Sequence, residues 1–219
     1  WQARRWRRRR RGGKPKPTQD CSDGNVDNDA NLHGWRLLDG TSWTYNPNST
    51  PSDILLSSGL SVESALKASA ASWSNAPSGP VLSITMSDLG AFIGPAADGE
   101  NLIGFGQFTG KGAKQTLAAA WTWVDETTGV ATDTDIFFNT SHKWAVSDPG
   151  LAGAACGDPD RYDIQNIFTH EVGHPVGVAH SDDGNDGLRK ATMAPTASKG
   201  ELRKVTLADY DLNGLIGAY

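Results

Sequence analysis

Cysteine and methionine occur twice each, and histidine five times, in 219 residues. No run of about 18 apolar residues exists, which excludes a membrane-spanning helix. Basic charge is scarce outside one short stretch. Nine of the 20 basic residues fall in "WQARRWRRRRRGGKPKP", so the rest carries 11 basic against 25 acidic residues, a net of −14. A body that acidic argues against nucleic-acid binding and fits an extracellular protein or one that binds cations. No apolar stretch follows the arginines, so the tail is not an intact signal peptide. It reads as a disordered basic segment over 1–30, ahead of one domain over 31–219. A pro-segment remnant or a tether to an anionic surface is the other reading of that tail. The pair Cys21 and Cys156 is most simply one disulfide, worth about 4–5 kcal/mol for a loop this long; two free thiols are the alternative. "DGNVDND" spaces oxygen side chains as a calcium loop does, but lacks the downstream Glu of an EF-hand. A solvated acidic turn is its plainer reading.

What is present alternates between two periodicities. Trp43–Tyr45, Val81–Ser87, Asn101–Phe108, Thr116–Asp125 and Val130–Asn139 read as strands. Ser61 is placed to cap a helix whose Val62, Ala65, Leu66, Ala70 and Trp73 share one face. A second helix is expected from Asp160 or Asp163, with Ile164, Ile167, Phe168 and Val172 buried. A third is expected from Thr206, with Asp209 completing a capping box and Leu207, Tyr210, Leu212, Leu215 and Ile216 as apolar surface. His142 to Cys156 reads as loop. No repeat is visible, and the pattern is that of one α+β domain.

Three of the five histidines crowd into "THEVGHPVGVAHS". His170 and His174 are four apart, so a helix projects both from one face, one turn apart. Gly177 lets the chain turn sharply and bring His180 round as a third nitrogen. Three nitrogens leave one position open, as in a catalytic rather than a structural zinc site. Glu171 lies beside them without being a ligand, where it can take a proton from water as general base. The full pattern H-E-x-x-H-x-x-G-x-x-H fixes five positions, and all five are present. Pro175 is the irregularity. If the helix ran on to Gly177, Pro175 would remove the bond to the Glu171 carbonyl, and Pro175→Ala would stabilise the protein.

These residues resemble the metzincin metalloproteases, and among them the matrixin-type branch. "ATMAP" fits the methionine turn, with Met193 as the floor beneath the zinc ligands. Ser181 after the third histidine and Pro195 after Met193 favour that branch, and the likeness spans roughly residues 35–219. The resemblance implies a metzincin-type zincin fold. That is a twisted, mostly parallel sheet with an antiparallel edge strand, an active-site helix and a C-terminal helix. It implies peptide-bond hydrolysis, one catalytic Zn2+, protein or peptide substrates and a secreted, monomeric enzyme. Substrate would extend along an edge strand at Thr116–Trp123, pairing with Ala118, Ala119 and Ala120, with a pocket walled around Pro195. Between Phe108 and Lys143 only His142 is available, so no second zinc is expected. Calcium near Asp133 and Asp135, or Asp182, Asp183 and Asp186, stands against solvated acidic loops. "CGDPD" resembles the cysteine latch of matrixin pro-segments but directly precedes the zinc helix, so the disulfide is preferred. The competing reading is a relative that binds zinc or peptide without cleaving. Glu171 speaks against it, since a binding module needs no general base.

Overall fold

A computed structural model describes residues 30–90, 94–148, 150, 156–181 and 191–219. The expected tail, the "DGNVDND" turn, Cys21 and the acidic residues Asp182, Asp183 and Asp186 lie outside these.

Five strands form the main sheet: β1 (Thr41–Tyr45), β3 (Leu82–Met86), β4 (Leu102–Gly106), β5 (Ala118–Asp125) and β6 (Val130–Asn139). Their order is β3-β1-β4-β6-β5. The first four run parallel, and β5 alone runs antiparallel, on the edge beside β6. The parallel strands need crossover connections, and α1 (Val62–Ser74) supplies the one between β1 and β3. Ser61 and Ser64 cap α1 reciprocally, each side chain accepting from the other's backbone N–H.

The helix that carries the histidines, α2 (Ile164–Gly173), is buried along its whole length. Asp163 caps it, accepting from Asn166 N at 2.9 Å. It is fixed against α1 by polar bonds inside an apolar contact. Trp73 Nε1 donates to Thr169 O at 2.8 Å, and Ser69 Oγ donates to Gln165 O at 3.1 Å. The buried Trp43 and Trp144 likewise donate to the carbonyls of Thr134 and Asn139, so each buried indole N–H has an acceptor. Among the described residues no helix is long and apolar enough to cross a membrane.

Three expectations are corrected. The stretch expected as loop contains β7 (Trp144–Val146), which pairs in parallel with β2 (Leu55–Leu56) and β8 (Tyr162–Asp163). Three residues are too few to show a period, and Trp144 is held by packing against Phe105 and Phe138. The C-terminal helix, α3 (Asp209–Ala218), starts three residues later than Thr206. Thr206 is extended (φ −115°, ψ 142°), and its carbonyl accepts from Thr192 Oγ1 at 2.8 Å. The side chain that closes the helix start is Asp211, which accepts from Ala208 N at 2.8 Å. Finally, α2 stops at Gly173, with His174 as its C-cap, and does not reach Gly177.

Candidate metal centre and cleft

The three histidines of the motif converge. Their ring centroids lie 5.1, 5.1 and 4.7 Å apart, and one nitrogen from each falls within 4.8 Å of the others. His170 Nδ1 donates to the Thr192 carbonyl at 2.7 Å, which leaves Nε2 as the bare nitrogen. That Nε2 lies 3.3 Å from His180 Nε2. Two nitrogens on one tetrahedral zinc, each about 2.0–2.1 Å from it, stand about 3.3–3.4 Å apart, so this pair fits the ion. Burial pushes His170 well below the usual imidazole range, and the Lys204 charge adds to this. Burial, then the charges of His180 and His33, push His174 down to about 3. Both are neutral at pH 7, the form that binds a metal.

The floor of the site is the turn at Ala191–Pro195. Met193 is fully buried, and its carbonyl accepts from Ser181 N at 3.0 Å. A Cβ on Gly173 would meet Met193 Sδ and the Trp73 ring, so the absent side chain lets Met193 pack directly against the helix end. Asp211 holds the turn from below, accepting from Thr192 N and Met193 N, each at 2.9 Å.

Glu171 is buried, and burial pushes its carboxyl up to about 7 against the opposing Lys204 charge and a bond from the Ala120 N–H. That N–H belongs to the edge strand. Asn139 N donates to Leu117 O at 2.8 Å, so by the two-residue period Leu117, Ala119 and Trp121 turn their backbone groups toward β6. Ala118 and Ala120 therefore present theirs to the open edge. All three alanines, with Pro195, Thr196 and Ala197, line a cavity of about 540 Å³ that also contains His170, Glu171, His174 and His180.

Four residues here had no signal in the sequence. Lys204 lines the same cavity, in a stretch without periodicity. His33 Nε2 lies 3.1 Å from His174 Nδ1, and the Val178 backbone also bonds the His174 ring. The His33 ring stacks on Trp35 at 4.4 Å, and Trp35 Nε1 donates to the His174 carbonyl at 3.1 Å. Tyr162 forms part of the cavity wall. The scarcity of histidine could have drawn attention to His33; nothing local marks the others.

Asp133 and Asp135, read as one calcium candidate, are buried beneath the 96–102 loop. Asp133 Oδ2 accepts from Asp98 N and Gly99 N, and Asp135 accepts from Ala96 N and Leu102 N. Among the described residues, Asp133 Oδ1 alone is a buried side-chain oxygen without a partner. His142 Nε2 sits 3.1 Å from the Thr116 carbonyl.

Pro175 lies beyond the helix end. The Glu171 carbonyl already accepts from His174 N at 3.3 Å, and Val176 N reaches Val172 O at 3.3 Å. The missing Pro175 N–H would have reached that same Glu171 carbonyl, which the His174 N–H satisfies instead, and a proline just past a helix end is common. With the carbonyl already satisfied, the grounds for stabilisation by Pro175→Ala are weaker. Freeing the α-region His174 from its proline is offset by greater freedom of the unfolded chain. The expected change in denaturation free energy is below about 1 kcal/mol, against about 3 kcal/mol for a proline inside a helix.

A parallel sheet closed by one antiparallel edge strand, with three imidazoles and a buried glutamate below that edge, defines a metzincin-type domain. The family model for Matrixin matches residues 103–219, more than half of the chain. The chain belongs to the matrixin family of zinc metalloproteases. No curated protein sequence matches it.

Proposed function

We propose that the protein is a secreted zinc-dependent endopeptidase, with His170, His174 and His180 as zinc ligands and Glu171 as general base. The observation that carries this reading is the pairing of three converging imidazoles with a buried carboxylate in one cavity under an open strand edge. When bound, zinc supplies Lewis acidity, acidifying water and polarising the scissile carbonyl. Glu171, with a pKa near the working pH, accepts the proton of the attacking water and returns it to the leaving amine. The Ala120 N–H orients its carboxylate. Ala118 and Ala120 offer backbone groups for an extended peptide, and Pro195 walls the pocket beside it. Met193 supports the ligands from below. A disulfide between Cys21 and Cys156, and calcium near Asp133 and Asp135 or near Asp182, Asp183 and Asp186, are further parts of the proposal. The non-cleaving reading rested on Pro175, which lies outside the helix and no longer favours it.

Metal analysis paired with a casein digest tests this. One zinc per chain is expected, with cleavage that stops on chelation and falls at least about 100-fold in Glu171→Ala. Stoichiometric zinc without cleavage by the wild type would sink the enzyme reading, and cleavage surviving Glu171→Ala would sink the mechanism.

A further inference from the structure

Lys204 is fully buried, yet among the described residues no carboxylate forms an ion pair with it. Its backbone is fixed to α2, Lys204 N donating to Asn166 Oδ1 at 2.7 Å. Its Nζ donates to the Ala194 carbonyl. The other near atom is His170 Nδ1 at 3.4 Å, which cannot accept because its own proton is committed to Thr192 O. An ammonium has three donors, and only one is used here.

The neighbouring carboxylates are engaged elsewhere. Glu201 bonds Arg203 Nε and Ser198 N, both at 2.9 Å. Asp211 is held by three backbone N–H groups. Glu171 is bonded by the Ala120 N–H, on the edge-strand side. Glu201, Glu171 and Asp211 lie near enough to attract the ammonium but form no ion pair with it, and a buried cation without a direct partner is costly. A hydrocarbon side chain of similar length would fill the same space without that cost. The lysine stands in the wall of the cavity, together with Thr196, Ala197, Tyr162 and Ile167.

We infer that Lys204 is a specificity-determining residue: its ammonium receives the carboxylate of an Asp or Glu side chain that the bound peptide inserts into the cavity. This rests on the endopeptidase reading and names its substrate class, peptides with an acidic residue at the position that fills the pocket. A desolvated ammonium–carboxylate bond discriminates strongly, because an uncharged side chain leaves the lysine buried and unpaired.

The test maps cleavage sites in a mixed peptide library with the zinc-loaded protein. One position flanking the scissile bond should be enriched in Asp and Glu, and a peptide with Glu there should have a kcat/KM at least 10-fold above its Gln counterpart. Lys204→Met should abolish both preferences. The same Glu and Gln peptides are titrated onto Glu171→Ala by fluorescence anisotropy, where the Glu peptide should bind at least 10-fold more tightly. No acidic enrichment at any position, equal kcat/KM or binding for the two peptides, or a preference that persists in Lys204→Met each overturns the inference. If Lys204→Met does not fold, the wild-type peptide pair decides alone. If no peptide is cleaved, the endopeptidase reading fails, and the binding comparison still decides the role of Lys204.

Discussion

Gly177→Ala is expected to destabilise the protein by about 3–5 kcal/mol and to abolish stoichiometric zinc binding. Two independent costs add. Gly177 has φ +103°, a backbone conformation that disfavours any side chain with a Cβ. A Cβ there would also fall on the Trp35 carbonyl oxygen and press on Ala218 Cβ at 3.3 Å. Backbone cannot step aside as a flexible side chain can. The chain on both sides is pinned, His33 N donating to Gly177 O at 2.9 Å and Gly177 N to His174 O at 3.0 Å. Relief would have to move the Asn31–Trp35 segment, α3 or the turn leading to His180. Moving that turn breaks the ligand triangle. Chemical denaturation and zinc content of the purified variant check this; a wild-type midpoint with full zinc would refute the account.

Asp211→Ala is expected to cost about 3–6 kcal/mol, from three buried amides each losing its acceptor. Its carboxylate accepts from Thr192 N, Met193 N and Ala208 N at 2.8–2.9 Å, and the residue is fully buried. These bonds join the start of α3 to the turn beneath the histidines. The Thr192 carbonyl in that turn fixes His170, so zinc affinity should fall along with stability. Asp211→Asn should be milder, keeping one acceptor oxygen but aiming an amide N–H at backbone donors. Unfolding midpoints and competition for zinc with a chelator would measure both effects. Wild-type behaviour in Asp211→Ala would show that the turn holds itself.

Much of the site was legible because its spacing is local. A separation of four positions between His170 and His174 makes one helical turn whatever surrounds them. The strand–turn–strand pattern of Thr116–Asp125 and Val130–Asn139 marked the two strands, and β5 does stand at the sheet edge. The helix ends were read less well. Reading α2 on to Gly177 made Pro175 an apparent fault, whereas the Met193 floor and the His174 cap end the helix earlier. The start of α3 followed Asp211 and not the Thr206–Asp209 spacing, because the Thr206 carbonyl is taken by Thr192.

By itself, then, the sequence determined the spacing that groups three histidines beside a glutamate, the turn glycine and the family, since each depends on backbone geometry over a few residues. Tertiary structure alone decided what surrounds them. His33 reaches His174 across 141 residues of chain, and Lys204 reaches His170 across 34. Neither spacing has any periodic consequence, so nothing local records it. Only the packing of the Asn31–Trp35 segment and of the turn before α3 against α2 puts an imidazole behind His174 and a buried lysine in the cavity wall.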